Sequence, residues 1–141
     1  MKRLLNYRTF LFALCSGLFT FQASAQSTSV HIINNSSCYV FLEYVEAYDC
    51  ETSTVCFAYP DENCIPPGIT VTLSPCGTST YKWAIGAIAM ADEDCQQCGN
   101  RIEVHREVEC YSTANPVNFP ACGSCPGAFA QWVAPDVIEI N

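Results

Sequence analysis

Cysteine is the residue type that most constrains this chain. The sequence has 11 cysteines in 141 residues; Cys15 lies in an apolar N-terminal segment, and the others follow it. An even set of ten at this density, in a chain that carries an export signal, predicts a framework of up to five disulfide bridges. The ten predicted bridge-forming residues are Cys38, Cys50, Cys56, Cys64, Cys76, Cys95, Cys98, Cys110, Cys122 and Cys125.

The N-terminal segment has the three regions of a secretory signal peptide. Basic side chains among the first eight residues precede an apolar run over residues 10–21, and the small residues Ala23, Ser24 and Ala25 then provide a cleavage site. The apolar run is shorter than the ~20 residues that cross a bilayer as a helix, although an uncleaved anchor is the alternative. We therefore expect residues 1–25 to be removed and the protein to be secreted, to the extracellular space, the cell surface or the periplasm. We expect no stable membrane insertion after cleavage.

The charge of the remaining chain limits its partners. Residues 26–141 have the length of a single domain. Only Lys82, Arg101 and Arg106 remain as cations in this part, against all 14 Asp and Glu residues. So acidic a chain is repelled by phosphate backbones and anionic lipids, which excludes nucleic acid as a partner.

The hydrophobic pattern predicts an all-β fold. The clearest alternation is over residues 101–109, where Ile102, Val104 and Val108 face one way and His105 faces the other with the glutamates. Residues 81–90 are apolar on both faces and favour a central strand, with a short buried helix as the competing interpretation. No segment has sustained helical periodicity, so we expect an antiparallel β-sandwich of about seven short strands, cross-linked by disulfides. The predicted strands are residues 30–33, 39–45 (with Tyr44 on the face of Val40 and Leu42), 69–73, 81–90, 101–109, 129–133 and 137–140.

Two closely spaced cysteine pairs admit sharper interpretations. Cys95 with Cys98, and Cys122 with Cys125, have the ligand spacing of a four-thiolate zinc ribbon. The second pair also matches the redox motif of thioredoxin-like enzymes, but Pro126 follows it where the activating helix should begin. Zinc would need thiolates that persist in an oxidising compartment. We therefore interpret the ten cysteines as structural bridges.

The sequence leaves the pairing of these cysteines open. If residues 101–109 form one strand, Cys98 and Cys110 lie ~40 Å apart at ~3.3 Å per residue. A bridge needs Cα atoms about 4.4–6.8 Å apart, so these two are not partners. Local bridges Cys50–Cys56, Cys95–Cys98 and Cys122–Cys125 remain candidates.

No catalytic, cofactor-binding or metal-binding residue can be assigned, and we expect no cofactor. His31 and His105 are the two histidines, and neither lies in a recognisable nucleophile motif. The acidic run at residues 92–94 and the glutamates around His105 have ligand types suited to calcium. We interpret both acidic groups as solvated surface instead.

The opening of the chain resembles that of thaumatin-like proteins. Residues 33–40 (INNSSCYV) lead through Asn and Cys into a second strand, and residues 67–73 (PGITVTL) form a Pro-Gly turn followed by a Thr-rich strand. The whole is also similar to small secreted cysteine-rich β-sandwich proteins of Gram-negative bacteria. These resemblances imply a β-sandwich and carry over no functional residue.

Three functions remain open at this point. The first is a secreted, non-enzymatic β-sandwich domain that acts by surface contact, as a component of an adhesion, matrix, envelope or filament, with a protein or carbohydrate surface as partner. The second is a small secreted inhibitor or toxin that presents the loop of residues 59–64 between bridges. The third is a small secreted hydrolase. The first is favoured by the strand content and by aromatic residues in the predicted strands and loops, namely Tyr39, Tyr44, Tyr48, Phe57, Tyr59 and Tyr111.

Overall fold

The structure, a computed structural model, describes residues 29–77, 80–111 and 113–141. The predicted signal peptide lies outside these residues. The regular secondary structure of the described part consists of ten strands in two sheets. No helix in this part of the chain is long and apolar enough to cross a membrane.

One sheet has the strand order β5-β1-β10-β9-β8, and the other has the order β3-β2-β6-β7, with β4 also paired to β2. All pairs are antiparallel except β1 with β10, which is parallel. The strands are β1 Val30–Asn34, β2 Tyr39–Asp49, β3 Thr54–Ala58, β4 Cys64–Ile65, β5 Thr70–Leu73, β6 Lys82–Ala91, β7 Gln97–His105, β8 Val117–Phe119, β9 Ala128–Ala134 and β10 Val137–Ile140.

The main hydrophobic core lies between the two sheets. Ile32 of β1 and Ile138 of β10 belong to the same buried cluster as Leu42 of β2 and Ile88 of β6. Side chains from one face of each sheet therefore fill one layer, which is the arrangement of a sandwich. The expected all-β, disulfide-linked fold is confirmed.

The central strand of the second sheet is β6. Its neighbours are β2 and β7, and nine of its ten residues, from Trp83 to Ala91, are buried. This confirms the interpretation of residues 81–90 as a strand covered on both faces. The competing short helix is wrong.

Two details of the predicted strands are wrong. The strand expected at residues 101–109 runs from Gln97 to His105, because a short turn closed by hydrogen bonds between Val108 and Tyr111 follows it. Val108 packs in a second small cluster with Ala84 and Ile85, not in the main core with Val104.

The side chain of Tyr44 also faces away from the expected side. The pairing of β2 with β6 shifts register between Leu42 and Tyr44, so one residue, Glu43, is extra in β2. An extra residue reverses the alternation of the side chains that follow. Val45 therefore returns to the core, and Tyr44 lies on the outer face of the sheet.

The ten predicted cysteines form five bridges, with Cα–Cα distances of 5.0 to 5.9 Å. Such a framework indicates an oxidising compartment, extracellular or periplasmic. Three bridges link segments of the two sheets, and two join segments around the second sheet. The pairs are Cys38–Cys125, Cys56–Cys76 and Cys98–Cys122 between sheets, and Cys50–Cys110 and Cys64–Cys95 around the second sheet.

The candidate local bridges are wrong, whereas the exclusion of a Cys98–Cys110 bridge is confirmed. Cys56 lies opposite Ala47 across the β2–β3 hairpin, about 10 Å along β2 from Cys50 at ~3.3 Å per residue. Cys122 and Cys125 are paired across a tight turn by backbone hydrogen bonds in both directions, and Cys95 has a positive φ in the turn before β7. Closeness along the chain therefore does not set the pairing, and the cysteines of both Cys-x-x-Cys pairs form bridges with other segments of the chain.

Candidate functional site

The two Cys-x-x-Cys pairs do not form a thiolate site. Cys98 and Cys122 are bonded to each other, whereas Cys95 and Cys125 are bonded to Cys64 and Cys38. The zinc-ribbon and redox interpretations are therefore wrong. Within residues 29–77, 80–111 and 113–141, no group of three or more His, Cys, Asp and Glu side chains is arranged to hold a metal ion.

His105 lies on the outer face of the second sheet, among aromatic and acidic side chains. Its Nδ1 is hydrogen-bonded to the hydroxyl of Tyr111 at 2.7 Å, and its Nε2 lies 3.4 Å from a carboxylate oxygen of Glu103. The ring of Tyr111 stacks with those of His105 and Tyr48, with centroid distances of 5.3 and 5.5 Å. His31 lies in β1 of the other sheet, and its Nδ1 is hydrogen-bonded to the Thr72 hydroxyl at 2.9 Å. The two histidines are not brought together.

The acidic run at residues 92–94 stabilises the turn between β6 and β7. The Asp92 carboxylate accepts hydrogen bonds from the backbone N–H groups of Asp94 and Gln96, at 3.0 and 2.8 Å. Glu93 accepts a hydrogen bond from the Ser124 hydroxyl. These carboxylates are therefore engaged in shaping the turn and in holding it against a neighbouring loop.

Arg101 crosses the outer face of the second sheet toward Tyr44. Its guanidinium lies 5.4 Å from the centre of the Tyr44 ring and donates a hydrogen bond of 2.9 Å to Glu43. A carboxylate oxygen of Glu103 lies 3.6 Å from the Nη2 of Arg101. The hydrogen bond from Arg101 to Glu43 raises the pKa of the guanidinium, and burial raises the pKa of the Tyr44 phenol.

Tyr44 leads to a group of exposed side chains at one edge of the sandwich. The ring of Phe57, in β3, packs edge-on against Tyr44 with centroids 5.2 Å apart, and Tyr59 lies 6.3 Å from both rings. Val55 and Ile69 are exposed nearby, in β3 and just before β5. We call Val55, Phe57, Tyr59 and Ile69 the aromatic edge.

An open cleft separates the outer strands of the two sheets at this edge. It has a volume of about 740 Å³, in the size range of small-molecule sites. One wall is the chain from Phe57 to Cys64, and the other is β5 with the residues around it. The residues that line this edge cleft are Phe57, Ala58, Tyr59, Asp61, Glu62, Cys64, Pro66, Ile69, Val71, Thr72, Leu73, Ser74, Pro75 and Cys76.

The electrostatics of the edge cleft are one-sided. Its described lining includes the exposed carboxylates of Asp61 and Glu62 and no basic side chain. The three cations of the described chain are engaged elsewhere: Lys82 with Glu109, Arg101 with Glu43, and Arg106 with the Trp83 carbonyl. This edge therefore carries negative charge beside aromatic surface.

The loop that carries Asp61 and Glu62 is held at its C-terminal end. The backbone N–H of Leu42 donates to the Asn63 carbonyl at 2.7 Å, and the Asn63 side-chain amide donates to the Leu42 carbonyl at 2.8 Å. Cys64 is bridged to Cys95 directly afterwards. The C-terminal end of the loop is therefore fixed to β2, and the loop projects from it.

Sequence reasoning found part of this site. Phe57, Tyr59 and the loop of residues 59–64 were singled out from composition and cysteine spacing. Ile69 and β5 were missed as a wall of the site, because nothing local in the sequence shows that β5 faces β3. Arg101 was missed because its contact with Tyr44 depends on the extra residue in β2.

No family model matches the chain, and no curated protein or solved structure matches it either. The resemblance to thaumatin-like proteins stays a prediction.

Proposed function

We propose that this protein is an exported, non-enzymatic β-sandwich domain that acts by surface contact, as a component of an adhesion, matrix, envelope or filament. The aromatic edge is its contact surface. One observation carries the proposal: among the residues that the structure describes, four of the five large hydrophobic side chains that are exposed lie along this edge. They are Val55 at 44%, Phe57 at 40%, Tyr59 at 66% and Ile69 at 46% of full exposure.

The physical chemistry of the edge supports a binding role. Aromatic side chains bury a large area at low entropic cost and are enriched at the centres of protein interfaces. A grouped set of exposed apolar side chains, rimmed here by Asp61 and Glu62, is a feature of interaction sites. The bridges hold the edge in one conformation, which lowers the entropy lost on binding.

The test compares retention of two variants on the surface of the producing cells. Phe57→Ser combined with Tyr59→Ser should reduce the amount of protein that fractionates with the cell surface or matrix by at least about tenfold. Val133→Ser is the matched control, since Val133 is 47% exposed but lies in β9 of the other sheet. Equal retention of both variants would refute the aromatic edge as the contact surface.

A second candidate function, a small secreted inhibitor or toxin, is favoured by the held loop of residues 59–64. The two hydrogen bonds between Asn63 and Leu42 and the Cys64–Cys95 bridge fix the loop before any target binds. Cys64→Ser combined with Cys95→Ser would loosen it. An inhibitor that presents this loop should then lose its affinity for its target, whereas a contact domain should keep most of its retention on cells, because Phe57 lies outside the loop and beside the separate Cys56–Cys76 bridge.

A further inference from the structure

We propose that the edge cleft binds an extended peptide segment that carries Lys or Arg, supplied by a partner protein. This inference rests on the contact function proposed above and names the chemistry of the partner.

The shape of the cleft suits an extended chain. One wall is β5, which ends its sheet and pairs with β1. The Asn34 N–H donates to the Ile69 carbonyl, and in an antiparallel pair the backbone groups point alternately toward and away from the partner. The N–H and C=O groups of Thr70 and Thr72 therefore point to the open side, where an added strand can pair with them.

The chemistry of the lining suits a cation. Aromatic faces attract ammonium and guanidinium groups, most strongly Trp and Tyr. Phe57 and Tyr59 stand beside the carboxylates of Asp61 and Glu62 in the same cleft, and its described lining holds no basic side chain. A Lys or Arg side chain bound in the cleft would contact one of these rings and, at the same time, form an ion pair with one of these carboxylates.

The protein contains the same type of contact on the adjoining face. The Arg101 guanidinium lies over the Tyr44 ring and donates to the Glu43 carboxylate. Tyr44 is in ring contact with both Phe57 and Tyr59. An arginine from outside would therefore extend an arrangement of ring, guanidinium and carboxylate that already exists beside it.

Charge also argues against other occupants of the cleft. The full chain has a formal net charge of −8 at pH 7. A second copy in a symmetric dimer would bring Asp61 and Glu62 close to the same acidic edge of its partner, which is unfavourable. A neutral carbohydrate would leave both carboxylates without a counter-charge.

The probe is a synthetic peptide of about ten residues in which Arg and Thr alternate. It is titrated into isotope-labelled protein lacking residues 1–25, with amide shifts followed by NMR. We expect shifts confined to the edge cleft and slower amide exchange at Thr70 and Thr72. We also expect the affinity to fall steeply between about 0.01 M and about 1 M salt, over which the screening length shortens roughly tenfold. Shifts centred elsewhere, or an affinity that salt leaves unchanged, would overturn the inference.

Matched variants separate the cleft from general attraction to an acidic protein. Asp61→Asn with Glu62→Gln should weaken the peptide about fivefold, since two exposed ion pairs are lost. Glu51→Gln with Glu107→Gln removes the same charge at exposed sites outside the cleft and should change the affinity less than about twofold. Equal weakening by the two pairs would overturn the inference.

Two further ligands complete the test. A peptide with Gln in place of Arg, and a neutral chitin hexasaccharide, should each bind at least about tenfold more weakly than the Arg peptide. If either binds as well, the occupant is not cationic and the inference falls. If no ligand binds while Phe57→Ser with Tyr59→Ser still abolishes retention on cells, the contact function stands and the peptide inference alone is wrong.

Discussion

The sulfur atoms of Cys56 and Cys76 join the outer strand of one sheet to the end of the outer strand of the other. Cys56 lies in β3, and Cys76 follows β5 and lines the edge cleft. The two walls of the cleft are therefore connected by a covalent bond in addition to the packing of the core. The bridge therefore helps to set the width of the cleft.

Removal of this bridge should affect both stability and binding. Cys56→Ser with Cys76→Ser should lower the free energy of unfolding by about 3 kcal/mol, since the bridge closes a loop with a sequence separation of 20. Cys98→Ser with Cys122→Ser, at a separation of 24, should cost a similar amount. Urea unfolding should show a similar loss of stability in both variants. Peptide titration should show that only Cys56→Ser with Cys76→Ser lowers the affinity for the Arg peptide. Equal binding loss in both variants would contradict a specific role in the cleft.

Asn34 should be far more important for stability than its neighbour Asn35. Asn34 is fully buried, and its side-chain amide lies within 2.8 to 3.1 Å of three backbone carbonyls, those of Cys38, Ile65 and Pro66. Asn34→Ala removes one donor from each of these carbonyls and the acceptor of the Ser36 N–H and hydroxyl, and should cost about 2–4 kcal/mol in urea unfolding. Asn35 is exposed, so Asn35→Ala should cost less than about 1 kcal/mol. Similar losses for the two variants would contradict this account.

The charged carboxylate of Asp49 should stabilise the folded protein at neutral pH, and this stabilisation should be lost in acid. The hydroxyl of Thr80, followed by the backbone N–H groups of Thr52 and Glu51, donates to its carboxylate and lowers its pKa. A lowered pKa in the folded state gives stability that is present above the ordinary Asp pKa of about 3.9 and is lost as pH falls through the folded value. Asp49→Asn should therefore be less stable than the wild type at pH 7, and this difference should shrink at low pH. A difference that stays constant with pH would refute the role of the charge.

The folded protein favours the neutral phenol of Tyr48, so the protein should lose stability in alkali, where this phenol would ionise. Burial, followed by a hydrogen bond with Glu46, raises the pKa of its phenol above the ordinary 10.0. In this case stability is complete below the ordinary pKa and is lost as pH rises toward the folded value, because the unfolded chain releases the proton first. Tyr48→Phe should reduce the loss of stability above about pH 10, and absorbance titration should show a missing late-ionising phenol. If the phenol that Tyr48→Phe removes from the titration ionises at the ordinary Tyr pKa, the raised pKa of Tyr48 is contradicted.

The strands that sequence reasoning found are those with a strong local pattern. Half-buried and buried side chains alternate along residues 137–140, and β6 is a long apolar run that is buried almost throughout. Both patterns can be recognised from the amino-acid sequence alone. Of the missed strands, β4 and β8 have two and three residues, too few to show an alternation. β3 has five residues, but the first four are exposed or half-buried, so its side chains do not alternate between core and solvent. Each of the three is a strand because a longer neighbour, β2 or β9, pairs with it.

The amino-acid sequence by itself determined a β-rich, acidic chain with ten cysteines in bridges, because the period of two and the type of each residue are local properties. Only the tertiary structure decided which cysteines are partners, that Tyr44 faces outward, and that β3 and β5 form the two walls of one cleft. These outcomes depend on strand order and register across two sheets, which arise from packing between residues distant in the chain. A single extra residue in β2 turns Tyr44 to the outer face, where Arg101 contacts its ring.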